Sequence, residues 1–375
     1  MIYLDCNATT PIEPAVVDLV LHFLTDEFGN AGSRTHEFGL RAQRAVEKAR
    51  EQVAKVVTCE PSEVILTSGA TESNNLAILG LEKFANETGK RHIISTEIEH
   101  KAVLEPLEML SKRGFDITLV APDLDGSVSA ENIKARLRED TILVSVMHVN
   151  NETGVIQPIT DIVNILDGHP AFLHVDAAQG FGKDIPTLQS RRIDLISISG
   201  HKIYAPKGIG ALIVRRRGYD RLPIQPLMVG GGQEQGLRPG TLPVHLAVGL
   251  GLASELAIKN FSQRQADCKK FRDRLLCELL PLNPVINGDL KMSLPNVVNL
   301  SFLGIDSEAL MLALKNEIAI SNGSACTAHL YKPSHVLKAM GLDDDSIQTA
   351  VRLSWCHLTE EPDWVRVTKI VSSLS

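Results

Sequence analysis

Leu195-Ile-Ser-Ile-Ser199-Gly200-His201-Lys202 is the stretch that decides the fold. A short apolar run closes on Gly-His-Lys and is followed by a Gly/Pro loop, Tyr204 to Gly210. Upstream, Phe172-Leu-His174-Val-Asp176-Ala-Ala-Gln179 is a second apolar run that ends at an acid. Similar runs occur at Val64 to Thr67, His92 to Ser95, Ile142 to Val146, Ala171 to Val175, Leu195 to Ile198 and Ala211 to Val214. Helix-like stretches such as Ser73 to Ala85 and His100 to Lys112 lie between them. Strands alternating with helices predict an α/β domain whose largely parallel sheet is covered on both faces. In such sheets ligands bind outside the carboxyl ends of the strands. Most of the polar residues singled out below sit just after an apolar run.

Outward from this block, Arg41 to Val57 has apolar residues on one face and reads as an amphipathic helix. Gly249 to Lys259 reads as a long helix continuing toward Phe271 to Leu280. A second, smaller C-terminal α/β domain follows, with strands at Val297 to Phe302 and Val351 to Trp355. Its helix candidates are Ser307 to Asn316, Pro333 to Met340 and Glu361 to Ser373. The expected division is a large domain over residues 15–255, with 1–14 and 256–375 forming the small one.

With 375 residues, 44% of them apolar and 22% charged, the chain has room for two globular domains. A net charge of -7 and 4% aromatic residues supply neither a basic field nor stacking surfaces, so no direct nucleic-acid binding is expected. No apolar run reaches the roughly 18 residues of a membrane span. The start has no signal-peptide pattern, so a cytoplasmic location is expected. None of the six cysteines forms a CxxC pair, so no metal site is expected, and Cys59, Cys268 and Cys277 read as small buried hydrophobes.

The chemistry lies in the strand ends. A lysine able to form a Schiff base, with an acid able to hold a pyridinium nitrogen, is the minimum for pyridoxal 5'-phosphate (PLP) chemistry. Lys202 and Asp176 are that pair. Gln179 is placed for the ring hydroxyl. In isolation Asp176 reads equally well as a helix cap. Ser68-Gly69-Ala70-Thr71-Glu72 opens a helix after a strand, a place for the phosphate. Ser199 and His201 flank Lys202 and are within reach of the same group. His100 is a candidate to stack on the ring and move protons. Asn151 is a candidate for the cofactor hydroxyl or a substrate carboxylate, and Arg352 for gripping that carboxylate or forming a structural ion pair. Gly230 to Thr241 reads as a glycine-rich loop near a ligand or subunit contact, or as a linker. Ser321-Asn-Gly-Ser-Ala-Cys326-Thr327 puts a thiol in a run of small, polar residues, an exposed loop with a candidate nucleophile.

Together these pieces resemble the cysteine desulfurases, PLP enzymes of fold type I, the aspartate aminotransferase-like fold. The likeness runs nearly end to end, from Tyr3-Leu-Asp-Cys6-Asn7-Ala-Thr-Thr-Pro11 through Gly69 to Asn74, Glu99-His100-Lys101, His174 to Gln179 and Ser199 to Lys202. Gly323-Ser-Ala-Cys326 looks like the extended catalytic loop of one branch of that family. The resemblance implies that Lys202 carries PLP and moves the substrate Cα proton, while His100 stacks on the ring and assists with the substrate thiol proton. Ala70, Thr71, Ser199 and His201 would hold the phosphate, and Asn151 and Arg352 the carboxylate of L-cysteine. Cys326 would take the sulfur as a persulfide, releasing alanine. Thr241 would reach the phosphate of a second subunit, implying a homodimer. The sulfur would pass to an acceptor protein: an iron–sulfur scaffold, a thio-tRNA pathway or a DNA phosphorothioation pathway. The short segment after the last helix weakens the case for the scaffold. A selenocysteine lyase, or another PLP enzyme on the same scaffold, is the alternative. Cys6 and Asn7 stand where residue types vary in the family, and Ala31 follows Asn30 where Pro is common.

Overall fold

The computed structural model describes residues 1–218, 220–322 and 333–374. Twelve strands run in chain order: β1 (Ile2–Tyr3), β2 (Val64–Thr67), β3 (His92–Thr96), β4 (Asp116–Val120), β5 (Thr141–Met147), β6 (Phe172–Asp176), β7 (Leu195–Ser199), β8 (Gly210–Val214), β9 (Val285–Ile286), β10 (Val297–Ser301), β11 (Ile318–Ala319) and β12 (Ala350–Ser354). Seven of them form one sheet in the order β2-β8-β7-β6-β5-β3-β4. Neighbours from β7 through β4 are parallel, while β8 runs antiparallel to both β7 and β2. This matches the expected mostly parallel sheet, and the fold is α/β.

All five residues of β6 and of β7 are buried, as covering on both faces requires. The helix Glu37–Val57 packs its apolar stripe, including Val46, Ala49, Val53 and Val56, into the same core as Val244, Ala247 and Leu250 of the helix Val244–Lys259. A separate core gathers Leu4, Phe271, Leu275, Val298, Leu300, Leu353, Trp355 and Trp364 around a small antiparallel sheet in the order β12-β10-β9. The N-terminal segment joins this second body: β1 pairs with β11, and Asp5 bridges Ser354 beyond the end of β1. No helix among the described residues is long and apolar enough to cross a membrane.

The differences from the sequence reading have physical causes. The expected helix Ser73 to Ala85 is two helices, Ala70–Leu79 and Glu82–Thr88, broken at Gly80. A Cβ at Gly80 would lie 2.5 Å from Ile224 Cγ2 and 2.9 Å from Gln225 O, so a neighbouring segment passes against the break. The expected long helix after Gly249 starts earlier, at Val244, and breaks at Asn260 before the helix Phe261–Leu279. The two-residue strands β1, β9 and β11 are too short for alternation to betray them.

Three neighbouring strands of the sheet are locked by one polar ladder. His174 on β6 hydrogen-bonds Ser145 Oγ of β5 (2.8 Å) and Ser197 Oγ of β7 (2.9 Å). Desolvation by burial pushes its pKa down to about 4, against the opposing pull of Asp176. The folded protein therefore refuses a proton that the unfolded chain accepts near 6.5. Stability from this site is full above that value and is lost as pH falls from about 6.5 toward 4. Two to three pKa units correspond to about 3 kcal/mol. We predict that His174→Gln flattens the fall in unfolding free energy between pH 7 and 4.5 by about 2 kcal/mol, measured by urea titration. An unchanged pH dependence would contradict the assignment.

Candidate active site

The carboxyl ends of β2, β3, β5, β6 and β7 open on a cavity of 1220 Å³. It is lined by Ala70, Thr71, His100, Asn151, Asp176, Gln179, Ser199, His201, Lys202 and Arg352. Two predicted residues are not among them. Thr241 does not line this cavity, and Cys326, with the rest of Gly323 to Thr327, lies outside the described residues.

Asp176 closes β6 and is buried. One carboxylate oxygen accepts from Asn74 Nδ2 at 2.7 Å and the other from the Ala178 N–H at 2.9 Å. Both donors are neutral, so this buried anion has a place for a cation on its cavity side. Asn74 lies one turn into the helix Ala70–Leu79 and is fully buried. Sequence reading quoted it within the motif but gave it no task. Its spacing from the phosphate loop was the available signal.

Gly69 caps that helix with φ 153° and offers no side-chain cap, so the first-turn N–H groups face the cavity side where Ala70 and Thr71 stand. A Cβ at Gly210 would lie 2.4 Å from Ile198 O and 2.6 Å from Gly69 Cα. Only glycine lets β8 pass this close behind the anion cradle. His201 adds a hydrogen-bonding ring to the same region, its Nδ1 3.2 Å from Thr9 Oγ1. Burial first, then the neighbouring Lys202 and Lys207, pushes the His201 pKa down to about 4, so the ring is neutral at pH 7.

Lys202 follows β7 in a single tight turn. Its Nζ donates to Ala8 O at 2.9 Å and to Asn7 O. Gln179 Nε2 donates to the same Asn7 oxygen at 2.9 Å. The N-terminal segment is thus a strut for both residues, which sequence reading did not anticipate. Tyr204, two residues on, has φ 71° and donates its N–H to Thr10 Oγ1, another tie to that segment. His100 caps the helix Lys101–Lys112, with Nδ1 accepting from the Ala102 N–H at 3.1 Å. That contact puts the proton of the neutral ring on Nε2.

Arg352 on β12 is almost fully buried. It donates to Asn151 O at 3.0 Å and to Asp5 Oδ1 at 2.7 Å. The structural ion pair considered for Arg352 therefore exists, beside the cavity-lining face available to a ligand. Glu99 is a further buried carboxylate, accepting from Thr96 Oγ1 and the Met147 N–H. Burial raises its pKa to about 8. Nothing in the Glu-His spacing distinguished it from a surface acid.

These features fit PLP. Lys202 would anchor its carbonyl carbon, Asp176 would face its ring nitrogen, and the Gly69 cradle would take its phosphate. We predict that Asn74→Ala, which removes a donor from Asp176, costs about 1.5 kcal/mol of cofactor binding. That is roughly tenfold faster loss of the bound-cofactor absorbance on dialysis, with the folded circular dichroism spectrum retained. Unchanged retention would show that Asp176 needs no such support.

The aminotransferase class-V family model matches residues 2–365. Cysteine desulfurase IscS of Klebsiella pneumoniae is 46% identical over 365 residues, 96% of this chain and 89% of that protein. The structure of DndA from Streptomyces lividans superposes with a TM-score of 0.83 at 50% identity, covering 93% of this chain and 98% of that one. A NifS-like protein superposes with a TM-score of 0.90 at 38% identity, covering 100% and 98%. With the lysine, the acid and the phosphate cradle all present at the ends of the same sheet, the chain belongs to the aminotransferase class-V family and, within it, to the PLP-dependent cysteine desulfurases.

Proposed function

We propose that this enzyme converts L-cysteine to L-alanine, with Cys326 taking the sulfur as a persulfide and passing it to an acceptor protein. The observation that carries this reading is the convergence of Lys202, Asp176, His100 and Arg352 on one cavity. PLP, when bound, supplies an electron sink that lets negative charge develop at the substrate Cα. Arg352, with Asn151 beside it, binds and orients the substrate carboxylate. Lys202 Nζ takes the Cα proton, its approach set by the Asn7 and Ala8 carbonyls. His100, protonated on Nε2, holds the substrate sulfur by a hydrogen bond. Cys326 attacks that sulfur: its thiolate forms the new S–S bond while the Cβ–S bond breaks, and the carbon skeleton leaves as alanine after protonation.

The reading extends to partners. Val17, Leu21 and Leu24 expose one apolar stripe of the helix Pro14–Thr25, near in sequence to the stacked and exposed Phe28–Phe38 pair. Monomeric surfaces rarely leave such patches open. Together with Thr241 standing off its own cavity, this supports a homodimer in which Thr241 serves the partner's phosphate site. The second core, gathering Leu4 with residues between 268 and 371, supports a small domain formed by 1–14 and 256–375 beside a large one over 15–255, with Val336, Leu337, Met340, Ile347 and Ala350 packing across into the first core. The working location is the cytoplasm. SspA, solved in a form in complex with cysteine, superposes with a TM-score of 0.82 at 37% identity, covering 94% of this chain and 98% of that one. This supports the same substrate here. The likeness to DndA makes the acceptor used by that protein the first to test, ahead of that of IscS.

The holoenzyme is expected to yield alanine and a protein-bound persulfide from L-cysteine. Cys326→Ser is expected to keep the cofactor absorbance and form no persulfide. Lys202→Ala should lose alanine formation by more than about a hundredfold. Persulfide formation undiminished in Cys326→Ser would move the nucleophile elsewhere.

A further inference from the structure

Behind the site, a pair of thiols is joined in a way the desulfurase chemistry does not use. The N-terminal segment runs alongside the end of β12: the Cys6 N–H donates to Ser354 O at 3.0 Å, and the Ser354 N–H donates to Leu4 O at 2.8 Å. This register brings Cys6 against Cys356 in the core. With Tyr204 they form a small buried cluster of their own.

The surroundings of the two sulfurs differ. A turn wraps Thr359 around Cys356: the Cys356 N–H donates to Thr359 Oγ1 at 2.9 Å, and the Thr359 N–H donates back to Cys356 O at 3.0 Å. Thr359 Oγ1 itself donates to Cys356 Sγ at 3.5 Å. With the Cys6 thiol in contact, these groups favour a sulfur anion at Cys356. Lys183 is buried nearby with a 3.5 Å contact to Gln179 Oε1; burial lowers its pKa, and the charge of the nearby thiol group opposes that shift. The donors decide which sulfur gives up its proton. The Cys6 thiol beside it, opposed by burial and aided by Thr359, pulls the Cys356 pKa below the ordinary thiol range, while Cys6 holds its proton well above that range. Cys268 is also near, but it packs into the neighbouring core, while Cys6 and Cys356 share one cluster.

A thiolate in contact with a neutral thiol is the arrangement that a hydroperoxide converts to a disulfide. We propose that Cys6 and Cys356 form a dithiol oxidation site, closed by hydroperoxides and reopened by thiol reductants. The Cys356 thiolate attacks the peroxide oxygen, forming an S–O bond as the O–O bond breaks and hydroxide leaves. The Cys6 sulfur then displaces hydroxide from that sulfenic acid, forming the S–S bond, and its proton leaves with the hydroxide as water. Both sulfurs are oxidised, and the peroxide is reduced to water. The closed form staples the segment that presents the Asn7 carbonyl to Lys202 and Gln179 onto the strand that carries Arg352. A redox state of this pair is thereby transmitted to the two ends of the substrate site.

The test uses the Cys326→Ser holoenzyme, so that the loop thiol does not consume oxidant. After hydrogen peroxide and denaturing alkylation of free thiols, mass spectrometry of the digest should show one linked peptide pair, Cys6 with Cys356. Prior treatment with dithiothreitol should remove it. The added substitution Cys356→Ser should abolish the link and leave Cys6 alkylated. Linked protein should also respond to L-cysteine with a slower change in cofactor absorbance than the reduced form, by at least about threefold. Recovery of Cys6 and Cys356 as separate alkylated peptides, with Cys59 or Cys277 oxidised instead, would overturn the proposal. A link between Cys356 and Cys268 would overturn it as well.

Discussion

The structure turns on one buried charge. Asp176 ends the central strand of the sheet, is shielded from water, and is held by the side-chain amide of Asn74 and the backbone amide of Ala178. Two neutral donors fix its position without cancelling its charge. A carboxylate in that state favours a cation against it far more than one in water would, because the local dielectric is low. The polar ladder through His174 pins the strand two residues earlier, and strands on both sides share the load. What the sheet contributes to function is thus a fixed negative point beneath the cavity.

The opposite wall is supplied by the N-terminal segment. Residues 5–10 touch Lys202, Gln179, His201, Tyr204, Ser354 and Arg352 through hydrogen bonds or ion pairs. The segment has little regular structure of its own. Its order comes from side chains and carbonyls of two different cores, so it couples the large sheet to the small one. The Asn7 carbonyl is the point of convergence, taking both the lysine that would carry the cofactor and the glutamine beside it. A change on either side of the joint is felt at the same oxygen.

Much of this was legible in the sequence. The six apolar runs stand out because strands buried on both faces lose their alternation and read as continuous Val/Ile/Leu stretches. The chemistry-bearing residues stand out because parallel sheets deliver them to one edge, within five positions after each run. Lys202, Asp176, His100 and Thr71 all obey that rule. Asn74, Asn7 and Glu99 do not announce themselves. Asn74 acts from inside a helix, Asn7 acts through its backbone carbonyl, and Glu99 is distinguished by burial alone. The contact between Cys6 and Cys356 was equally invisible, since it depends on a parallel bridge between segments some 350 positions apart. The breaks at Gly80 and Asn260 escaped for a related reason. They answer to neighbours packed against the helix, and a local window sees none of them.

The account rests on Asp176 remaining ionised against the cofactor ring, and the most direct measurement is of the ring nitrogen itself. Holoenzyme reconstituted with 15N-labelled PLP would be examined by 15N NMR at pH 8. A shift in the pyridinium range, moving to the neutral-pyridine range in Asp176→Asn, is the predicted result. A neutral-pyridine shift in the unmodified enzyme would show that Asp176 does not hold the charge assigned to it, and the site would need another explanation.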